Sequence, residues 1–378
     1  DSTVAFLLFE KALGPERVYG LLVDTGFMRL NEVEEVKTSL AAAGVTNLHV
    51  YDASSEYFEA LSEVYEPEKK RRIIGDLFLD IQAKVSDQLG LNPEEWFLGQ
   101  GTIYPDTIET GGTKHAHTIK THHNQVQRVL DLKKAGKVLE PLDQLYKDEV
   151  RMVGEKLGLE HKMVWRHPFP GPGLAVRTLC AEGENYPEGV AGIEAQINEV
   201  VAGDGLRAKV LPIKSVGVQG DERTYEHPVV LYGKPAEWAR LHTLSTQLIN
   251  QLPRINRVLF GLETEGIEDC LVKKSYLVPE RVLTIQQADK VVMDYIIDTG
   301  LDGEIWQFPT VLIPVELGGR GESLVLRPVE STEAMTASFY RMDWDKLAEL
   351  TERLRAVEGV SGIFYDITNK PPGTIEWE

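Results

Sequence analysis

Eight residues near the middle of this sequence, Arg166-His167-Pro168-Phe169-Pro170-Gly171-Pro172-Gly173, constrain the fold more than any other stretch. Three prolines remove backbone donors and fix φ, and two glycines weaken any ladder, so neither a helix nor a central strand can run through them. The segment reads as a junction, and the hydrophobic rhythm differs on its two sides. A chain of 378 residues has room for two to three domains at roughly 150 residues each. We place one domain over residues 1–165 and a second over 166–378.

Ahead of the junction, helix and strand periods alternate, the pattern of an α/β fold in which helices wrap both faces of a parallel sheet. Ser2 to about Leu13 reads as a helix. Val18-Tyr19-Gly20-Leu21-Leu22-Val23 is a continuous apolar run ending at Asp24-Thr25-Gly26, as expected of a strand buried on both faces. An acidic helix from near Asn31, a strand at Asn47–Tyr51, a long helix from Lys69 to Lys84 and a strand at Trp96–Gly101 follow. Ligands bind beyond the carboxyl ends of such strands, so Asp24–Arg29 and Gly101–Asp106 are expected to face one pocket. No strand or initiator Met precedes the first helix, and the chain looks cut at its front.

Beyond the junction we expect an α+β domain. Strands are expected near Lys209–Ile213, Arg257–Phe260, Thr310–Val315, Leu324–Pro328 and Gly362–Asp366. The helices fall at Pro235–Leu252, Pro279–Asp298 and Trp344–Ala356. Antiparallel strands with helices on one face would satisfy this order.

Charge narrows the function. Against 40 Lys and Arg stand 59 Asp and Glu, a formal charge of −19, which argues against general binding to a nucleic-acid backbone. Any phosphate site must be local. Cys180 and Cys270 are too few for a disulfide scaffold or a Cys-based zinc site, which suits a reduced cytoplasm. No apolar run approaches the roughly 20 residues that cross a bilayer, so a soluble protein is expected.

Several residues could carry chemistry. Asp1-Ser2-Thr3 at a helix start offers a carboxylate, two hydroxyls and unpaired N–H groups, the parts of a phosphate and Mg²⁺ site, or simply an ordinary N-cap. Residues 114–123 hold Lys114, Lys120 and four of the nine histidines (His115, His117, His122, His123) without an acid. They suit a phosphate lid, a metal site or a solvated loop; adjacent histidines on an extended segment point to opposite sides, which weakens the metal reading. Lys147 opens an amphipathic helix at its positive end. A cation there is disfavoured unless an anion lies nearby, so Lys147 suits a phosphate contact, although an intrahelical arrangement with Arg151 and neighbouring acids would also satisfy it. The terminal stretch from Asn369 to Glu378 carries two prolines and a Trp, richer than a frayed end needs, and is expected to dock on the protein or a ligand.

Taken together, these pieces resemble the GMP synthases along nearly the whole chain. The resemblance rests on Asp1-Ser2-Thr3 as the end of a Ser-Gly-Gly-x-Asp-Ser pyrophosphate loop, on Val23–Arg29, Gln100–Asp106, Ile119–Asn124, Lys147–Arg151 and His167–Leu174. Ser215–Asp221 and the tail Lys370–Glu378 complete it. It implies a pyrophosphate-loop ATP-pyrophosphatase domain followed by a dimerisation and XMP-binding domain, enlarged over about 180–300 as in the long form of the family. It also implies that ATP adenylates the C2 oxygen of xanthosine 5′-monophosphate, releasing pyrophosphate, and that ammonia then displaces AMP to leave GMP. Ser-Gly-Gly-x and a buried strand are expected ahead of Asp1, with a glutaminase domain or subunit as the ammonia source. A cytoplasmic homodimer that binds neither nucleic acid nor membrane is expected.

By the same resemblance, Asp1 helps hold Mg²⁺, and Ser2, Thr3 and Gly101 bind ATP, whose adenine Val23 and Met28 border. Asp106, Lys120 and Lys147 are the catalytic residues, Lys147 toward pyrophosphate, and 107–127 forms a lid. Pro172, Gly173, Arg223, Lys370, Thr374, Ile375 and Glu376 hold the purine monophosphate, Glu376 accepting from purine N–H groups. Rival readings are another pyrophosphate-loop enzyme, such as NAD synthetase or a tRNA-thiolating enzyme, and a non-catalytic nucleotide-binding assembly module.

Overall fold

A computed structural model of the chain describes residues 1–92, 94–111, 123–219, 222–331 and 336–378. They form two units, one of 1–60 with 68–166 and the other of 61–67 with 167–378.

The first unit is built from β/α repeats. Its elements are α1 (Ser2–Leu13), β1 (Gly20–Asp24), α2 (Glu32–Ala42), β2 (Leu48–Asp52), α3 (Ser54–Ala60) and α4 (Pro67–Gln88). After these come β3 (Leu98–Gly99), α5 (Tyr104–Gly111), α6 (His123–Lys134), β4 (Val138–Leu139), α7 (Lys147–Lys156) and α8 (His161–Val164). β1 pairs with β2 in parallel, from Gly20 opposite Leu48 to Asp24 opposite Asp52, and β3 pairs with β4 in parallel. Each parallel pair encloses helix, because two parallel neighbours need a crossover. The helix expected at Lys69–Lys84 is the longer α4, preceded by the unanticipated α3, and the strand expected at Trp96–Gly101 shrinks to two residues.

One expectation is corrected here. In β1 only Gly20 and Val23 are buried, while Leu21, Leu22 and Asp24 are half-buried; among the described residues its ladder has a partner on one side only, β2. The core instead gathers around helices. Val4, Ala5 and Leu7 of α1 meet Val36 and Leu40 of α2, Ile103, Leu142 and Val150 of α7. α1 packs closely on α7 at Gly154, where a Cβ would stand 3.1 Å from Val4 Cγ2 and 3.2 Å from Val164 Cγ2.

The second unit carries α9 (Val190–Val201), β5 (Leu206–Val210), β6 (Ser215–Gln219), β7 (Glu222–Gly233), α10 (Trp238–Gln251), β8 (Ile255–Glu263) and β9 (Leu271–Val272). The long α11 (Pro279–Asp298) leads to β10 (Thr310–Ile313), β11 (Val315–Glu316), β12 (Glu322–Leu326), β13 (Val329–Glu330), β14 (Ser338–Phe339), α12 (Trp344–Arg355) and β15 (Val360–Asp366). The main sheet runs β10-β12-β15-β8-β7-β5, with β6 added on β7.

This sheet is mixed, not antiparallel as expected. β7 pairs with β8 and β12 with β15 in parallel, and the other ladders are antiparallel. The reason lies in the connections: α10 carries the chain from β7 to β8 and α12 lies between β12 and β15, and a helical crossover returns the chain in the same direction.

Strand alternation buries both faces. Val258, Phe260, Leu324, Leu326, Ile363 and Tyr365 pack with Leu241, Leu244, Val292, Tyr295, Leu347 and Leu350 of the helices. Between them Leu259, Val325 and Phe364 turn to the other face, where they meet Trp377 near the end of the chain. No helix among the described residues is long and apolar enough to cross a membrane.

Candidate functional site

In the first unit three helix starts converge. α1 lies beside α7 at the Gly154 contact, and Asp1, the residue capping α1, and Lys147, the first residue of α7, stand together. Lys147 Nζ donates to Asp1 Oδ1 at 2.7 Å and Oδ2 at 2.8 Å. The Asp1 carboxylate makes no capping bond to its own helix, so the simple N-cap reading fails for its side chain. The intrahelical reading fails for Lys147 too, since it is Arg151 that pairs within α7, with Asp148 at 3.1 Å. The third start is α5. Gly101 lies so close to the front of α1 that a Cβ there would stand 2.4 Å from Ser2 N and 2.7 Å from Ser2 Cα. Glycine is required by this backbone contact. Tyr104 N–H donates to Leu145 O at 2.9 Å, which ties the start of α5 to the approach of α7, and the Asp106 carboxylate accepts the Ile103 N–H at 3.2 Å.

The cluster concentrates cations within an acidic chain, each beside a carboxylate. Partial burial lowers the pKa of Lys147, Arg151 and Arg166 push the same way, and Asp106 opposes them. Arg166 is held by Glu32, Nη1 to Oε1 at 2.6 Å, and the other Glu32 oxygen accepts the Arg29 N–H at 3.0 Å. The loop after β1 is therefore linked to the cluster through Glu32 and Arg166. That loop is itself well built: Asp24 Oδ1 accepts the Gly26 N–H, Thr25 Oγ1 accepts the Phe27 N–H, and Phe27 is enclosed by Tyr57 and Phe58. Val23 is buried and Met28 half-buried at its two ends. Helix N-termini with fixed cations attract anions, phosphate above all.

In the second unit the tail is bound as tightly as a strand. Val216 N–H donates to Trp377 O at 2.9 Å and Val218 N–H to Pro372 O at 2.7 Å, so β6 is paired with β7 on one side and the tail on the other. Two buried arginines hold it from beneath. Arg257 Nη2 reaches Val216 O, Thr374 O and Oγ1, and Glu376 O, while Arg327 Nε reaches Thr374 O and Ile375 O. Asp366 Oδ2 pairs with both guanidiniums at 2.9 Å and accepts from Trp377 Nε1 at 3.1 Å. A third arginine, Arg177, grips the Glu376 carboxylate with Nε and Nη2 at 3.0 and 2.8 Å. The tail thus docks on the protein itself.

Comparison with known proteins adds a likeness. Residues 294–377 match the family model described as GMP synthase C terminal domain. A probable glutamine-hydrolysing GMP synthase of Leptospira interrogans is 46% identical over 380 residues, an alignment that takes in all of this chain and 62% of the relative. The chain is similar over its whole length to this GMP synthase. A probable glutamine-hydrolysing GMP synthase of Caenorhabditis elegans is 35% identical and the glutamine-hydrolysing GMP synthase of Dictyostelium discoideum 34%, each aligned with the whole of this chain. The chain spans about 62% of the length of these curated GMP synthases.

Of the residues that the GMP synthase pattern singles out, Asp1, Ser2, Gly101, Asp106 and Lys147 come together. Thr3 lies in the first turn of α1. Lys120, with Lys114, His115, His117 and His122, lies outside the described residues, as does most of the 107–127 segment; of His123 only the backbone is described. Pro172 and Gly173 begin a short turn that runs into Arg177, and through it they connect to Glu376. Arg223 is exposed and stands opposite Val218 in the β6–β7 ladder. Lys370 pairs its backbone with Ala337 and borders a cavity of about 420 Å³ with Glu330, Ser338 and Asn369, which Ile375 and Glu376 do not line. The Thr374 hydroxyl is engaged inside the tail, by Arg257 and the Glu376 carbonyl. Arg166, Glu32, Arg177, Arg257, Arg327 and Asp366 were not anticipated. The available signal was a charge set against an apolar run, as in Leu174-Ala175-Val176-Arg177 and Arg257-Val258-Leu259-Phe260.

Proposed function

We propose that this chain carries out the synthetase chemistry of a GMP synthase: ATP adenylates the C2 oxygen of XMP with loss of pyrophosphate, and ammonia displaces AMP to give GMP. The observation that carries the reading is the meeting of Asp1, Lys147 and Asp106 at three helix starts. The similarity to glutamine-hydrolysing GMP synthases supports it and lends nothing to an NAD synthetase or a non-catalytic module.

Adenylation turns a poor oxygen leaving group into a good one and expels pyrophosphate, whose charge must be met by fixed cations and dipoles. In the first unit, Ser2, Thr3 and Gly101 offer backbone N–H groups to the ATP phosphates, Val23 and Met28 border the adenine, and Lys147 turns from Asp1 toward the departing pyrophosphate. Asp106 favours the charged form of Lys147 against burial and the neighbouring arginines, and Lys120 is assigned to the same anion by the family pattern. Magnesium, when bound, supplies charge neutralisation on the triphosphate, and Asp1 is the ligand this chain gives it. One carboxylate plus substrate phosphates is a common magnesium arrangement, and it suits described residues that contain no group of three or more His, Cys, Asp or Glu placed to hold a metal.

In the second unit, Pro172, Gly173, Arg223, Lys370, Thr374, Ile375 and Glu376 hold the purine monophosphate. Lys370 and Arg223 meet the phosphate, Glu376 accepts from the base, and Thr374 acts by holding the tail. We further propose a cytoplasmic homodimer formed through this unit, supplied with ammonia by a glutaminase domain or subunit.

The deciding experiment combines the protein with ATP, Mg²⁺, XMP and ammonium and follows pyrophosphate and GMP. Both should form, and pyrophosphate should require XMP. Absence of both products from folded protein preceded by Ser-Gly-Gly-x would reject the proposal.

A further inference from the structure

Arg177 occupies a position that none of the assigned roles uses. Its side chain is 1% exposed, whereas that of its partner Glu376 is 19% exposed. The guanidinium meets the carboxylate with two parallel bonds, lies 5.3 Å from the centre of the Phe169 ring, and holds Nη1 at 3.8 Å from Asp289 on α11. Its own carbonyl accepts from Leu312 N at 2.8 Å, which anchors the residue to the sheet.

The two other tail arginines differ in what they hold. Arg257 and Arg327 take backbone carbonyls, one hydroxyl and Asp366, and so fix the path of the chain. Arg177 alone among them takes a side-chain carboxylate of the tail. A planar guanidinium fork sets the plane of a carboxylate as well as its position. It uses two of about four acceptor sites and leaves the rest available. The fork comes from the buried side, so the remaining acceptor capacity is on the side that keeps its exposure.

We propose that Arg177 is a positioning residue for purine recognition: it locks the Glu376 carboxylate at a set angle, with its free acceptors presented to the N–H groups of the purine. The inference rests on the reading of Glu376 as a contact to the base. Arg177 touches no substrate. It also couples two parts of the site, because it ends the turn begun by Pro172 and Gly173 and holds the tail at Glu376.

The test measures XMP and ATP dissociation constants on the intact protein by calorimetry, for the parent, Arg177→Lys, Glu376→Gln and the double variant. Arg177→Lys keeps the buried charge but not the fork. It should weaken XMP binding by about tenfold or more, because the two-bond fork that orients the carboxylate is gone, and leave ATP binding at the parent value. Glu376→Gln should lose a similar factor, and the double variant no more than the worse single. Parent-like XMP binding by Arg177→Lys, or a double-variant loss equal to the product of the two singles, would overturn the positioning role while leaving Glu376 in the pocket. Parent-like binding by Glu376→Gln would remove Glu376 from the pocket, and the proposal with it. Glu376→Asp gives a second measurement that leaves the buried arginine intact. It draws the carboxylate back from the fork at unchanged charge and should also weaken XMP binding; parent-like affinity would show that orientation does not matter.

Discussion

Lys147 and Asp1, 146 residues apart in the chain, form an ion pair in which one ammonium serves both carboxylate oxygens, at 2.7 and 2.8 Å. Each stands at the positive end of its own helix, so the acid is where the dipole favours it and the base is not. The Asp1 carboxylate offsets that cost for Lys147, and a phosphate in its place would do the same.

From this geometry Lys147→Ala should slow adenylation about 10²–10³-fold, the usual effect of removing one donor aimed at developing negative charge. XMP affinity should stay at the parent value. Single-turnover pyrophosphate release and calorimetric titration separate the two, and an unchanged rate would remove Lys147 from the reaction.

Gly101 makes a second test of the same cluster. In Gly101→Ala the new methyl meets the Ser2 backbone at 2.4 Å, which no side-chain rotation relieves. The start of α1 must shift, and we expect a loss of about 1–3 kcal/mol of stability together with slower ATP-dependent pyrophosphate release. Chemical denaturation and the pyrophosphate assay check both parts.

Trp377, within the tail, is fully buried, with the Arg257 guanidinium 4.8 Å from its ring centre. Trp377→Ala should cost about 3–5 kcal/mol. Trp377→Phe keeps a ring under Arg257 and loses the donor to Asp366, so its cost should fall to about 1–2 kcal/mol. Urea unfolding curves of the two variants give the comparison.

Buried His227 supplies a pH test. Burial lowers its pKa from 6.5 to about 4, so between those values the unfolded chain binds more protons than the folded one. Its contribution to stability is complete above pH 6.5, falls as the pH drops toward 4, and is flat below that. The full change is at most about 3 kcal/mol. His227→Gln should lose this part of the pH dependence, which denaturation at several pH values between 4 and 7 would reveal; a parallel profile in parent and variant would refute it.

Local order was largely legible in the sequence. Proline at the first turn and apolar spacing locate α11 at Pro279–Asp298, and the same logic locates α1, α7 and α12 to within a residue or so. The mixed sheet was not legible, because strand direction depends on which strands a crossover brings side by side, and no residue in β7, β8, β12 or β15 states its neighbour.

What the sequence determined by itself was chemistry available along the line of the chain: a helix start bearing Asp1-Ser2-Thr3, a misplaced cation at Lys147, a stiff tail too rich to fray, and a proline-glycine break between two rhythms. Only the tertiary structure decided which of these groups meet. Asp1 finds Lys147 because α1 and α7 pack at Gly154, and Glu376 finds Arg177 across 199 residues because the guanidinium is buried beside Asp289 of α11 where the tail carboxylate reaches it. Hydrophobic periodicity acts over a few residues and is written in the sequence. Charge pairing and burial act through space, and become definite only when the backbone has closed around them.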